Sequence, residues 1–566
     1  MAIRARVKWA TIGAVVLLGA LLAAFSDWTG LESEVLADPQ GIKYTGAGAC
    51  SAAACHGSAT PKEGGATRHN ENHVWANNDK HSKAYTSLSN DVSKELAKKL
   101  NIPDATKSEK CIDCHALSGL HLANGAKRIV LKPEDIQAKG YSIEDGVSCD
   151  SCHGPADKYL KAHTEKGWTD KLRKELGAQK LYDEWGLYDT KNMKFRANQC
   201  ISCHLQISSE LIQAGHPELP FELHVFSSDE GWIHWRDKTP WSGTKAWAMG
   251  QTVALREAAY QLAGRMEQKA REDLVVDSYY QLAAHALMAR HVAAAVDKAK
   301  LDELDKQLKA AHDGWADPAK AAAALKEMAK AAEALADAVD KFAFTEEVTT
   351  KWRSGIAAEG EACGNVGFRA AEQLVLSLTS LSMVLDKEGK GDADARQATM
   401  DKLYEVLATR EDFDKKKFIP VAKTLGDTFK GGTAIPMPPG GPGAGAASAP
   451  AVAEAKTPES PPAAKTEAPK VEAKTEAPAA PPEAKTEAPK VEAKTEAPAA
   501  TPPKVESTPP PTQEDPSKRT PLTKEEWGKF VFCPECGVKW PKDYKYCVRC
   551  GHGLPDIEKI MKEAGK

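Results

Sequence analysis

Apolar residues recur every three or four positions through the middle of the chain, a spacing typical of amphipathic helices. Residues 245–271 and 273–300 carry this pattern, and further helices are predicted at about 359–386 and 392–409, with a break at Gly389-Lys390-Gly391. One more stretch keeps an a/d spacing over nearly three heptads: Leu325, Met328, Ala332, Leu335, Val339 and Phe342. We therefore predict an antiparallel bundle of four or five helices over residues 243–430.

The segments on either side of the bundle lack this pattern. Residues 40–242 have few long apolar runs and are rich in Gly, Asn, Asp and Lys, so we expect short helices, one of them at 91–100, and loops. Residues 431–519 are Pro-rich, have no aromatic residue and repeat Ala-Lys-Thr-Glu-Ala-Pro at 464, 473, 484 and 493. Such a segment cannot bury enough apolar surface to fold, so we predict a disordered linker.

The N-terminus, residues 1–30, has the pattern of an export or anchoring segment. Arg4, Arg6 and Lys8 precede an apolar run from Trp9 to Phe25. Its length favours a retained membrane anchor, and a signal peptide cleaved near Ser26 is the alternative. In both cases the remaining chain is exported, so we predict an extracytoplasmic, periplasmic location with inner-membrane association through the N-terminus.

Composition adds two limits. A chain of 566 residues is too long for one ordinary domain, and we expect a mostly α-helical protein of several units. The net charge is only −4, and no basic stripe with interleaved aromatic residues is present. Nucleic acid is therefore not an expected partner.

The candidate chemistry lies in eight of the 13 cysteines. Three segments have the C-x-x-C-H pattern of covalent c-type haem attachment: Cys111-Ile-Asp-Cys114-His115, Cys149-Asp-Ser-Cys152-His153 and Cys200-Ile-Ser-Cys203-His204. The segment Cys50-Ser-Ala-Ala-Ala-Cys55-His56 has the same ending with two extra residues between the cysteines. Two thiols reach the two vinyl groups of a porphyrin, and the following His supplies the proximal imidazole. We predict four haem c groups, which provide the missing apolar core, with zinc sites or disulfides as the alternatives.

The segments 73–85, 145–155, 214–222 and 234–235 are similar to the cytochrome c-554 family of multihaem cytochromes. The resemblance spans about residues 40–240, within a predicted tetrahaem domain of residues 40–242, and implies a mostly helical fold, haems in closely packed pairs and electron transfer. By motif position it implies His81 and His216 as distal ligands. His163, ten residues after His153, and His234, in a His-Trp pair, are the third and fourth candidates. Some members of the family keep one haem five-coordinate, and this alternative stays open.

Two other residues of the predicted bundle are assigned to its core. His285 lies on an apolar helix face, so we predict a hydrogen-bonded core histidine, with ligation of a haem as the alternative. Cys363 has no following His and is predicted to be a small buried residue.

The C-terminal residues 520–566 contain two further C-x-x-C pairs, each followed by Gly. Cys533-Pro-Glu-Cys536-Gly and Cys547-Val-Arg-Cys550-Gly resemble a zinc ribbon, in which four thiolates hold one structural Zn. Two disulfides are the alternative for an exported domain.

Three functions follow from these patterns. The first is an electron carrier between donor and acceptor redox proteins of a respiratory chain, and we expect a carrier rather than a catalyst. The second is an enzyme acting on a small nitrogen compound, of the nitric oxide or hydroxylamine type, at a five-coordinate haem. The third is a structural subunit, in which the bundle or the ribbon attaches the chain to a larger respiratory complex.

Overall fold

A computed structural model describes residues 43–62, 67–116, 142–228, 234–235, 237, 239–391, 393–408, 410, 412–429, 431–437, 530–532 and 539–541. These residues are mostly helical, as the sequence predicts. Within these ranges, no helix has both the length and the apolar character that a membrane span requires. The predicted anchor, most of the predicted linker and the four C-terminal cysteines Cys533, Cys536, Cys547 and Cys550 lie outside the described residues.

The chain separates into two units, Met1–Ala447 and Ser448–Lys566. The described part of the second unit is an antiparallel pair of short strands, β1 (Phe530–Phe532) and β2 (Lys539–Pro541), in which Val531 lies opposite Trp540.

The N-terminal part of the first unit consists of short helices joined by loops, as expected. The described α-helices before residue 240 are α1 (Glu71–Asn78), α2 (Ala84–Ser87), α3 (Asp91–Lys99), α4 (Glu109–His115), α5 (Cys149–His153), α6 (Trp168–Trp185), α7 (Met193–His204), α8 (Ser209–Ala214) and α9 (Leu223–Ser227). Single 3-10 turns lie at Ala47–Ala49, Lys80–Lys83, Ala105–Lys107, Ile143–Asp145 and Ala162–Thr164. The predicted helix at 91–100 is α3, which begins where the Asn90 side chain accepts a hydrogen bond from the Ser93 amide, 2.8 Å away.

Nine further helices follow within the described residues 242–428. They are α10 (Ser242–Glu267), α11 (Glu272–Val296), α12 (Lys298–Asp313), α13 (Pro318–Lys341), α14 (Glu346–Ala357), α15 (Gly360–Val366), α16 (Phe368–Lys387), α17 (Ala393–Val406) and α18 (Lys415–Thr428). The prediction of four or five helices is therefore wrong. One reason is Gly367, whose φ of 130° ends α15 and divides the predicted helix 359–386 in two.

The core of the bundle forms where the periodic pattern predicts it. In α13, the a/d residues from Leu325 to Val339 are fully buried, whereas Phe342 lies just after the helix and is only partly buried. His285 is completely buried and hydrogen-bonds Gln251 and Gln281, each at 3.0 Å, which confirms a satisfied core histidine. Cys363 is buried as well.

The helix α7, which carries the last C-x-x-C-H motif, packs directly on the bundle. Its apolar residues Met193, Ala197 and Ile201 belong to the same hydrophobic core as α10. Beside this core, the buried guanidinium of Arg256 donates to the Asn198 side-chain oxygen at 2.8 Å. The predicted domain boundary at 242–243 coincides with the start of α10, but the core is continuous across it.

The first residues of the predicted linker are attached to the bundle. The buried Arg290 donates to the carbonyl oxygens of Ile435 and Pro436, both at 2.8 Å, and the Ile435 amide donates to a Glu359 oxygen at 2.7 Å. Residues 431–437 therefore lie against α11 and the α14–α15 connection.

Candidate functional site

The three regular C-x-x-C-H motifs lie at the C-terminal ends of helices. α4, α5 and α7 end at His115, His153 and His204 respectively. Residues separated by three or four positions share one face of a helix, so the cysteines and the histidine of each motif project to the same side. The local sequence thus folds each motif into a preformed attachment surface.

The extended motif from Cys50 to His56 is not helical. It is a series of turns, in which the Cys55 amide donates to the Ala52 carbonyl at 2.8 Å and the His56 amide to the Cys50 carbonyl at 3.2 Å. None of the eight motif cysteines, all of which the structure describes, is joined in a disulfide. Each of the four cysteine pairs is therefore available for two thioether bonds.

Each motif histidine lies opposite an imidazole from elsewhere in the chain, and His56 has a second one, His69, with ring centroids 6.5 Å apart. The ring centroids are 6.2 Å apart for His56 and His163, 6.2 Å for His115 and His216, 6.1 Å for His153 and His234, and 6.4 Å for His81 and His204. The four partners are the four histidines that the sequence analysis proposes as distal ligands. Which partner faces which motif is new information from the tertiary structure.

These separations can be tested against the size of an axially ligated metal. A metal bound by two imidazole nitrogens at about 2 Å each holds the two ring centres about 6 Å apart. All four pairs have this separation, so the residues present fit a haem iron between two histidines.

Backbone hydrogen bonds orient three of these rings. The Nδ1 atoms lie close to carbonyl oxygens, at 2.9 Å for His115 and Ala84, 3.0 Å for His163 and Tyr159, and 2.8 Å for His216 and Pro217. A carbonyl oxygen can only accept, so Nδ1 must carry the proton and Nε2 keeps its lone pair. Metal-binding histidines use this arrangement, with one nitrogen on the metal and the other donating to an acceptor.

Carboxylates play the same part for two other rings. Glu71 Oε2 lies 3.0 Å from His56 Nδ1, and Asp79 Oδ1 lies 2.9 Å from His81 Nδ1. Although burial disfavours its ionised form, hydrogen bonds from His56 and from backbone amides lower the pKa of Glu71 to about 2. The ionised carboxylate then accepts a hydrogen bond from Nδ1, so that Nε2 points to the other side of the ring.

Burial keeps the remaining motif imidazoles neutral. It lowers the pKa of His153 to about 3 and that of His204 to about 4, and it also lowers the pKa of His115. A neutral imidazole is the form that binds a metal, so these side chains need lose no proton at pH 7.

The first, third and fourth motifs lie close to one another. The thiols of Cys50 and Cys149 hydrogen-bond each other, which lowers the pKa of Cys50 and raises that of Cys149. Burial raises the pKa of Cys152, and the nearby thiols of Cys200 and Cys203 raise it further. Three of the four attachment points therefore cluster in space although they are far apart in the sequence.

A tryptophan and a buried ion pair flank the His153–His234 pair. The Trp235 ring lies 5.7 Å from the His153 ring, and the guanidinium of Arg196 lies 4.9 Å above Trp235. Arg196 is 2% exposed and binds both oxygens of Asp237, at 2.7 and 3.0 Å. This pairing neutralises a charge that would otherwise be costly to bury beside the site.

Several of these supporting residues are absent from the sequence prediction. Asp79 lies two residues before His81, inside a segment that the family resemblance covers, and this proximity could have indicated it. Glu71 and Arg196 have no local signal, because their relation to a motif exists only after folding.

The remaining histidines and metal-binding residues have different surroundings. His73 is exposed, His224 hydrogen-bonds Ser380 at 3.0 Å, and His121 lies outside the described residues. Across the described parts of the chain, no group of three or more His, Cys, Asp or Glu side chains is arranged to hold a metal ion without a porphyrin. The predicted zinc ligands lie outside those parts.

Comparison with known proteins identifies a family for part of the chain. Residues 49–154, which include the first three motifs, match the family described as "Cytochrome c554 and c-prime". No curated protein and no solved structure matches the chain.

Proposed function

Because residues 49–154 belong to a c-type cytochrome family, which carries haem c, we propose that the protein is a tetrahaem cytochrome that transfers electrons between redox partner proteins of a respiratory chain. The observation that carries this proposal is the set of four imidazole pairs, each joining one motif histidine to one other histidine. Four such pairs are what four six-coordinate haems require.

Each proposed haem has its own ligand set in this chain. Two motif cysteines attach the porphyrin, the motif histidine is the proximal ligand, and His163, His216, His234 and His81 are the distal ligands for the first, second, third and fourth motifs respectively. When bound, haem c supplies a one-electron iron couple. The carbonyl and carboxylate acceptors on Nδ1 hold five of these rings in place, and Nε2 would then be the nitrogen that binds the iron.

The same geometry favours a carrier over an enzyme. A catalyst for a small nitrogen compound needs an iron with an open position, and hence a motif histidine without an opposing imidazole. Each of His56, His115, His153 and His204 faces one. The clustering of three motifs further supports a role in passing electrons between neighbouring centres.

The test is a haem count combined with carbon monoxide binding to the reduced protein. We expect four haems per chain and no spectral change with carbon monoxide. The His216→Ala variant should make one quarter of the haem absorbance responsive, whereas the control His73→Ala, at an exposed histidine, should not. Carbon monoxide binding to one quarter of the wild-type haem would support the enzyme instead. A count of three haems per chain would mean that the Cys50 motif binds no haem.

The outer parts of the chain support further proposals on location and partners. The basic and apolar N-terminus supports an extracytoplasmic location with membrane association, the side on which haem c is attached. For the C-terminus, we propose one Zn bound by Cys533, Cys536, Cys547 and Cys550, because the strands β1 and β2 flank the first C-x-x-C in the sequence. The ribbon or the bundle would then attach the chain to a larger respiratory complex.

Metal analysis tests the zinc proposal directly. We expect four Fe and one Zn per chain. A variant with Cys533→Ser and Cys536→Ser should lose Zn and keep all four Fe. Disulfides in place of zinc would give a wild-type protein with iron but no Zn.

A further inference from the structure

The extended Cys50–His56 motif lacks the support that helices give the other three. In α4, α5 and α7, helical hydrogen bonds fix the positions of cysteines and histidine together. Two additional residues prevent the same geometry between Cys50 and Cys55, and this segment is a series of turns. Some other part of the chain must therefore hold it.

The side chain of His69 lies on this loop. Its Nδ1 is 2.6 Å from the Cys55 carbonyl oxygen and 3.1 Å from the Ala54 carbonyl oxygen. Because both acceptors are carbonyls, Nδ1 carries the proton and donates to them. On the other side of the motif, the Ser58 amide donates to the His69 carbonyl at 2.7 Å. His69 thus contacts the loop both at its extra residues and just beyond His56.

The backbone at His69 is in the left-handed region, with φ of 60°. A residue with a Cβ adopts this conformation at an energetic cost, although His is among the residues that tolerate it best. Such a conformation persists where surrounding contacts determine it. Here those contacts are the hydrogen bonds to the motif.

The residues around His69 also hold the proximal imidazole. The His69 ring lies beside the His56 ring, with centroids 6.5 Å apart and planes 24° apart. Glu71 accepts from His56 Nδ1 and from the Arg68 amide, at 3.0 and 2.8 Å, and the Asn72 amide donates to the His56 carbonyl at 2.9 Å. Residues 68–72 therefore contact the loop and the imidazole at the same time.

We propose that His69 is a positioning residue for the first haem, whose imidazole clamps the extended loop and replaces the helical hydrogen bonds of the other motifs. The inference rests on the proposed haem at Cys50, Cys55 and His56. It assigns the ligand role to His163 and not to His69, because the His163 ring lies closer to the His56 ring, at 6.2 Å against 6.5 Å between centroids.

The experiment uses the full-length chain and measures haem on each motif peptide by mass spectrometry, with the reduction potentials of the attached haems. His69→Ala should lower haem on the Cys50–Cys55 peptide at least threefold and leave the other three peptides loaded. His69→Asn, which keeps a side-chain N–H donor, should restore more than half of the loss. His73→Ala, at an exposed histidine of the same segment, is the matched control.

A second variant removes the need for the clamp. Deleting Ala53 and Ala54 gives Cys-Ser-Ala-Cys-His, the regular spacing, and His69→Ala in that background should have no effect on haem at the first motif.

Three results would overturn the proposal. One is a His69→Ala protein with full haem on the first peptide and wild-type potentials. Another is an equal loss of haem from all four peptides, which would mean a general role in folding. The third is dependence on His69 that persists in the shortened motif. A wild-type chain with only three haems would mean that the first motif binds no haem, so the proposed function would fail. The number of haems in the wild-type chain therefore distinguishes that failure from a failure of the proposed role of His69.

Discussion

The contact between the bundle and α7, the helix that carries the fourth motif, depends on Arg256. Replacing Arg256 with Met tests how much this contact contributes to stability. The guanidinium is 1% exposed. It donates to Glu257 at 2.8 Å, to Glu333 at 2.5 Å and to Asn198 of α7 at 2.8 Å. Met keeps much of the apolar stem but removes every one of these donors.

The expected loss of stability follows from the carboxylates that remain after the substitution. Glu257 is 3% exposed, so its carboxylate would stay buried without the guanidinium. Glu333 is 28% exposed and keeps Lys194 at 2.5 Å, so it contributes less. Removing one partner of a buried ion pair costs about 3–5 kcal/mol, and we expect the free energy of unfolding to fall by about that amount.

The assay is urea denaturation followed by far-UV circular dichroism at pH 7. The control is Arg271→Met, because Arg271 is 59% exposed and pairs with Asp273 at the surface. Its unfolding midpoint should match that of the wild type. The double variant Arg256→Met with Glu257→Gln should recover a large part of the loss, since it removes the buried charge.

The reasoning would be refuted if Arg256→Met were no more destabilising than Arg271→Met. It would also be refuted if adding Glu257→Gln recovered no stability, because the cost would then not arise from an unpaired carboxylate.

Three further predictions concern stability. Burial raises the pKa of Glu222 to about 7, so between about pH 4.5 and 7 the unfolded chain has lost a proton that the folded chain keeps. The free energy of unfolding should therefore fall by roughly 3 kcal/mol as pH rises through this window. In Glu222→Gln, the difference in the free energy of unfolding between pH 5 and pH 8, measured with urea, should be smaller by that amount. A pH dependence equal to that of the wild type would contradict this. Leu335→Ala, at a fully buried position of α13, should lower the free energy of unfolding by about 2–5 kcal/mol, whereas Val92→Ala, at a residue that is 62% exposed, should have little effect. Ending the chain after Gly431 should lower the thermal midpoint because Arg290 loses its acceptors on Ile435 and Pro436, whereas ending it after Ala447 should not; equal midpoints would show that this segment does not stabilise the bundle.

Features that depend on neighbouring residues could be predicted from the sequence alone. The attachment motifs are visible because both cysteines and the histidine of each lie within seven residues of one another. The buried a/d positions of α13 could be predicted because helical periodicity repeats over short distances in the sequence. The resemblance to a known family then identified four histidines as distal candidates, and the structure brings all four to motif histidines.

The pairing of these parts, in contrast, is a property of the tertiary structure. His81 meets His204 and His69 meets the extended loop because the chain path brings distant segments together, and no local pattern records that path. The same limit explains why α7 and α10 share one core across a predicted boundary. The number of helices is a different case, because α12, α14 and α18 carry amphipathic patterns of their own in the sequence that the prediction left out. Local sequence specifies which groups can bind a haem, whereas long-range packing specifies which of them face each other.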